Sequence, residues 1–207
     1  MTALTVCVPS IPARASLLSR LLWSLQMQPL DGVEVLVSDD GRRPMGDKLN
    51  EMFAAAAGEY VVAVDDDDYL TADYMARVVP LLVEGADFTG YQVLWLEDGR
   101  FAGRVSHRLG GDTSWSTLQR GVSPKCPVRT EVARRHRFGN EYTADRVWSA
   151  EVERACEFGI YLPAPLYVYD HWSSHMLGTS PDDPRFGRPQ RDVGFWPYDP
   201  EGVTWIG

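Results

Sequence analysis

Thr5-Val-Cys-Val8 is a short apolar run closed by Pro9, with the length and β-branching of a buried strand. Leu17, Leu18, Leu21, Leu22 and Leu25 then recur on one helical face, with Pro12 placed for the first turn. Val33-Glu-Val-Leu-Val37 gives a second strand, stopped by Ser38-Asp-Asp-Gly41, and Met45, Leu49, Met52, Phe53 and Ala56 mark a second amphipathic helix. Tyr60-Val-Val-Ala-Val64 is a third strand running straight into Asp65. Thr71 is placed to cap a third helix carrying Tyr74, Met75, Val78 and Leu82, which Pro80 should kink. Strand and helix alternating in this order imply an α/β fold with a mostly parallel, doubly wound sheet.

The pattern changes after Asp87. Phe88 to Leu96 and Phe101 to Val105 read as strands around Glu97-Asp98-Gly99-Arg100, a hairpin signal. Arg129 to Arg137 and Thr143 to Glu157 read as helices, and Leu166 to Tyr169 as a last strand. From Gly178 to Gly207 there are five Pro and five Gly among scattered aromatics, the composition of an irregular wrap or lid. The expected organisation is therefore one domain over residues 1–177 and a tail over 178–207.

Composition narrows the class. The chain has 207 residues, 44% apolar and 24% charged, enough for one globular core and unlike a disordered or fibrous chain. No apolar run approaches the roughly 18 residues needed to span a bilayer, so stable membrane insertion is not expected. Met1 to Pro9 lacks the basic start and long apolar stretch of a signal peptide. Cys7, Cys126 and Cys156 are far apart and show no CxxC spacing, which excludes a disulfide framework or zinc ribbon. A cytoplasmic protein with reduced thiols is expected. The formal charge of −9 suits a polyanionic partner poorly. Eighteen of the 20 basic residues are arginine, Lys48 and Lys125 being the only lysines, so a local phosphate or carboxylate site remains open.

The strongest chemical signal is Asp65-Asp66-Asp67-Asp68 directly after an apolar strand. Open α/β sheets bind ligands at the carboxyl ends of their strands, and adjacent carboxylates there repel unless a cation neutralises them. Hard oxygen ligands suit Mg²⁺ or Mn²⁺, which can also bridge a diphosphate. The plainer reading is a solvated acidic loop. Ser38-Asp39-Asp40-Gly41 ends the preceding strand, where an ordinary Asx turn is the alternative. Together the first three strand ends place Pro9-Ser10, Asp39-Asp40 and Asp65–Asp68 on one rim.

These segments resemble the GT-A-fold glycosyltransferases of the family-2 kind, which use nucleotide-diphosphate sugars. Val8-Pro-Ser-Ile-Pro-Ala-Arg14 resembles that family's opening, Val35-Leu-Val-Ser-Asp-Asp-Gly41 its V-x-D-D-G turn, and Gly58 to Leu70 the segment bearing its DxD metal motif. Tyr142-Thr-Ala-Asp-Arg-Val-Trp148 resembles the helix opened by an acidic pair, and Pro163 to His171 the closing strand. The resemblance covers roughly residues 4–175. It implies a nucleotide-binding half over 1–96 and an acceptor and catalytic half over 97–177. Asp39 would accept a hydrogen bond from the base, usually uracil, beside Pro9, Ser10, Arg14 and Asp40. Asp65 and Asp66 would meet the nucleotide sugar, Asp65 on the ribose or the metal, and Asp67 would ligate the divalent cation. Asp145 matches the expected general base of an inverting enzyme, and His171 a late metal ligand. The chain departs from the family at Ala144, where the pair's first acid is missing. Glu141 is then a rival base, and the shorter Tyr169-Asp170-His171 leaves His175 as a rival ligand.

The resemblance thus implies a metal-dependent transferase moving a sugar, with a UDP-sugar as donor, to the hydroxyl of a saccharide or other small molecule; a modified nucleic acid is a lesser alternative. Two other readings stay open. One is a non-catalytic nucleotide- or sugar-binding module on a degenerate transferase fold. The other is an aspartyl-nucleophile phosphatase, which needs a later lysine for which Lys125 is the one candidate.

Overall fold

The computed structural model describes residues 2–172, 194 and 196–206. The first half follows the apolar pattern closely. It comprises β1 (Leu4–Pro9), α1 (Ala15–Gln26), β2 (Val33–Ser38), α2 (Met45–Ala55), β3 (Tyr60–Ala63), β4 (Tyr69–Leu70) and α3 (Tyr74–Leu82). Pro12 opens a short 3₁₀ turn, Pro12–Arg14, that leads into α1. All six residues of β1 and all four of β3 are buried, as expected for central parallel strands. On α1 the five periodic leucines are all buried, and each contributes about 1.5–3 kcal/mol by leaving water. Capping of α3 differs from the expectation. Asp73, not Thr71, holds the cap position, and the Thr71 hydroxyl donates to the Asp73 carboxylate (2.8 Å). Pro80 lies in the last turn of α3, which ends two residues later.

The second half comprises β5 (Phe88–Glu97), β6 (Arg100–Asp112), β7 (Gln119–Arg120), β8 (Val128–Arg129), α4 (Thr130–Ala133), α5 (Ala144–Ala155), β9 (Gly159–His171) and β10 (Thr204–Trp205). The β5–β6 hairpin turns at Asp98-Gly99, both with positive φ (49° and 76°), the backbone of a tight two-residue hairpin. Strand order is β10-β2-β1-β3-β8-β5-β6-β7, and β9 joins β5 to β4. β1 runs parallel to β2 and β3, β5 runs parallel to β9, and β8 lies antiparallel between β3 and β5. The result is a mixed, mostly parallel curled sheet flanked by helices.

Three elements differ most in extent from the sequence pattern, the first being β6, which continues to Asp112 where the pattern stopped at Val105. The helix expected over Arg129–Arg137 is only Thr130–Ala133. Phe138 instead turns inward, stacks on Trp148 (4.8 Å between ring centroids) and meets the edge of Phe53, while Asn50 binds its N–H and carbonyl (2.9 Å each). Arg134 caps α2 by donating to the carbonyls of Phe53 and Ala56. The last strand runs thirteen residues. Its register against β5 shifts twice, so that bulges take up Pro163, Ala164 and Leu166 while Pro165 stays opposite Gln92. Within the described part of the tail, Trp196 packs on Trp23 (4.8 Å), Asp199 and Gln26 exchange hydrogen bonds, and β10 pairs with the outer edge of β2.

Candidate active site

Because β1, β2 and β3 are parallel and in register, their carboxyl ends share one edge: Pro9 sits opposite Ser38, and Cys7 opposite Ala63. Ser10 continues the first strand by donating its N–H to the Ser38 carbonyl (2.7 Å). Asp39 and Asp40 follow Ser38, and Asp40 folds over to accept the Arg42 N–H (2.8 Å). Asp65–Asp68 leave β3 in a turn closed by the Asp68 N–H on the Asp65 carbonyl (3.0 Å). The rim expected from the sequence is therefore assembled.

The four aspartates do not share one environment. Asp66 and Asp68 are fully buried, while Asp65 and Asp67 are partly exposed. Asp66 accepts from the Ser10 hydroxyl and from Arg14 Nη1 (both 2.6 Å). Arg14 Nη2 bonds Asp67 (2.6 Å), and Arg20 holds the Asp67 backbone carbonyl (2.7 Å). On the other side, Lys125 Nζ donates to Asp65, to Asp68 (2.8 Å) and to the Tyr167 hydroxyl (3.0 Å). Tyr167 in turn donates to Asp68 (2.6 Å), and the Asp170 N–H completes that carboxylate (2.9 Å). Burial pushes the Asp66 and Asp68 carboxyls upward, against the pull of Arg14 and Lys125 respectively. Oxygens of Asp65, Asp67 and Asp68 come within 4.8 Å of one another, an all-carboxylate set of the kind hard divalent cations take.

Asp145 lies in the first turn of α5 and accepts the Arg146 N–H (2.8 Å). Burial raises its pKa, and its carboxylate feels both Lys125 and Asp65, so it faces the same cluster from the second half of the fold. Arg120 also feels Asp145. Glu141 is exposed, with its carboxylate folded against Gly139. His171 Nδ1 lies 3.2 Å from a Glu97 carboxylate oxygen, outside the Asp65–Asp67–Asp68 group. His175 lies outside the described residues. An open pocket of about 560 Å³ at the β5–β6 hairpin is lined by Glu97, Asp98, Arg100 and Phe101, and by none of the rim aspartates.

The structure gives Lys48, Lys125 and Asp68 contacts at the site that the sequence reading did not assign. Lys48 is 2% exposed and donates to the Ser10 carbonyl beneath the rim. Burial lowers its pKa, while Asp40, Asp66 and Asp39 pull it back. Its signal was present: position 48 is four before Met52, on the buried stripe of α2. Lys125 and Asp68 are joined only by tertiary contact. Among the described residues, three buried polar atoms near the rim, Ser38 Oγ and the Nε of Arg14 and Arg20, have no hydrogen-bond partner.

No protein-family model matches the chain, and no curated protein matches it by sequence. Solved structures do resemble it. TarS of S. aureus, residues 1–349 in complex with UDP-GlcNAc, aligns over 82% of this chain and 58% of its own, at 18% identity and a TM-score of 0.66. The same protein with UDP aligns equally well, over 60% of its own length. The mannosyltransferase PcManGT from Pyrobaculum calidifontis, in complex with GDP-Man and Mn²⁺, aligns over 80% of this chain and 56% of its own, at 22% identity and a TM-score of 0.56. The chain thus spans well under two thirds of the length of these proteins. Its architecture is the GT-A-like fold that they share.

Proposed function

We propose that the chain is a metal-dependent glycosyltransferase that moves a sugar from a nucleotide-diphosphate sugar, of the UDP class, to an acceptor hydroxyl. The observation that carries this reading is the convergence on one rim of three strand ends bearing Asp39 and Asp65–Asp68, three of whose carboxylates are grouped closely enough to share a metal ion. The GT-A-like neighbours bound to UDP-GlcNAc, UDP and GDP-Man with Mn²⁺ support it.

In this reading Asp39 and Asp40, with Pro9, Ser10 and Arg14, form the nucleotide pocket, and Ser38 Oγ is an added polar contact. Asp65 and Asp67, joined here by Asp68, are the carboxylates that would hold Mn²⁺ or Mg²⁺; their all-oxygen donor set fits such an ion. A divalent cation there would stabilise the negative charge that grows on the departing diphosphate. His171, with Nδ1 beside Glu97, is not one of the grouped ligands. Asp145 would remove the acceptor's proton as its oxygen attacks the anomeric carbon, giving inversion. A carboxylate whose pKa burial has raised is better matched to that task than a free one. The phosphatase alternative gains one contact, since Lys125 does reach Asp65 and Asp68, but the GT-A-like sheet favours sugar transfer. Ala144, a buried residue where the family has an acid, favours the non-catalytic module as the second reading.

Calorimetric titration with UDP, GDP and CDP, each with Mn²⁺ and with excess chelator, tests the assignment. Tight, metal-dependent binding of UDP is expected. Binding of none of the three would overturn the reading, and UDP binding without turnover of any UDP-sugar and acceptor would leave the binding module.

A further inference from the structure

Lys125 is placed unusually for one of only two lysines in the chain. It stands in the loop between β7 and β8, its side chain is 18% exposed, and its ammonium has all three donors engaged, on Asp65, Asp68 and the Tyr167 hydroxyl. The rings of Tyr167 and Tyr169 face it at 5.0 and 5.1 Å. Asp65 and Asp68 are two of the three carboxylates grouped closely enough to share a metal ion. The ammonium therefore already binds the oxygens that a divalent cation would need. Two cations cannot share those oxygens at hydrogen-bonding distance without strong repulsion in a partly buried site.

We propose that Lys125 is a resident counter-cation that competes with the divalent metal ion for Asp65 and Asp68, and so makes metal binding depend on arrival of the nucleotide diphosphate. The inference rests on the metal-dependent reading above. Without nucleotide, a metal ion must displace an ammonium that is fully satisfied. With nucleotide, the diphosphate adds oxygens and negative charge to the metal's side of the balance, and the released ammonium acquires a new anion to face. Linkage then requires that the metal tighten nucleotide binding by the same factor. On the opposite side of the rim, Arg14 bonds Asp66 and Asp67, so of the three grouped carboxylates Lys125 holds two and Arg14 holds one.

The test is Mn²⁺ binding, read by the electron paramagnetic resonance of free Mn²⁺, to wild type and Lys125→Met with and without UDP. In the absence of UDP, Lys125→Met should bind Mn²⁺ at least about tenfold more tightly than wild type, and the tightening that UDP gives should shrink by a similar factor. Equal or weaker Mn²⁺ binding by a folded Lys125→Met protein overturns the proposal. A second measurement needs no variant. Because Lys48 and Lys125 are the only lysines, ¹⁵N-lysine labelling reads each ammonium in wild type. Saturation with Mg²⁺ and UDP should shift the Lys125 ammonium signal and speed its hydrogen exchange. Metal binding that leaves this signal unchanged overturns the competition while leaving the transferase reading intact. Failure of UDP to bind wild type with any metal overturns the transferase reading instead, and metal binding gained in Lys125→Met would still uphold the competition.

Discussion

Asp145 and Glu141 present the same functional group four residues apart, but in different settings. Asp145 is half-buried and in electrostatic contact with Lys125 and Asp65, whereas Glu141 is exposed against Gly139. Asp145→Asn is expected to keep UDP binding and to lower transfer by about 10²–10⁴-fold, the usual worth of a general base. Activity that survives this change and fails in Glu141→Gln would reassign the base. His107 gives a second expectation, on stability. It is 3% exposed, and its Nδ1–H donates to the Gly121 carbonyl (3.0 Å). Burial pushes its pKa down to about 4. Below about pH 6.5 the unfolded chain takes up a proton that the folded chain refuses until about pH 4. Stability from this group is therefore complete above pH 6.5 and is lost as pH falls toward 4, by up to about 3 kcal/mol. Urea midpoints for wild type and His107→Gln at pH 7 and pH 4.5 check this. A difference between the two proteins that does not change with pH would rule it out.

At the scale of elements, local pattern was sufficient wherever neighbours in sequence are also neighbours in the sheet. β1, α1, β2, α2 and β3 fall where their apolar spacing puts them, and Asp98-Gly99 marks the hairpin by its turn chemistry alone. The exceptions have tertiary causes. The segment after Ala133 has helical spacing but leaves the helix, because Phe138 gains more by stacking on Trp148 and Asn50 binds its backbone twice. Asn50→Ala should therefore cost about 1–3 kcal/mol for two lost hydrogen bonds, visible as a lower urea midpoint at unchanged slope. A loss below about 0.5 kcal/mol would mean that Phe138 packing alone fixes the loop. Prolines hid most of β9 because they read as breaks, and only pairing with β5 shows that bulges accommodate them. The site divides in the same way. Its carboxylate rim was legible, since parallel strands must end together. The Lys125 contacts were not, because the fold brings residues 65, 68, 125 and 167 together from three separate segments.

For the molecule as a whole, the expected nucleotide-binding and catalytic halves share one hydrogen-bonded sheet. β8 bridges β3 to β5, and β9 ties β5 back to β4. The buried core is likewise one cluster running from Leu4 to Val203. The two halves should therefore unfold in a single cooperative transition, with tryptophan fluorescence and far-ultraviolet circular dichroism coinciding along a urea gradient. Two separated transitions would show the halves to be independent units. The carboxylate rim belongs to one half and Asp145 to the other, so partial unfolding of either should remove the site.

β10 has a consequence for the order of assembly. Thr204 and Trp205 pair with Leu36 and Val37, and Ile206 donates to the Val37 carbonyl (2.7 Å), almost the whole chain away. On the ribosome, β2 is made long before its outer neighbour β10. Until then the outer edge of β2 lacks this partner and can template pairing with other chains. The closing step is a loop closure of high contact order, so a newly made chain stays open to strand-edge aggregation until β10 docks.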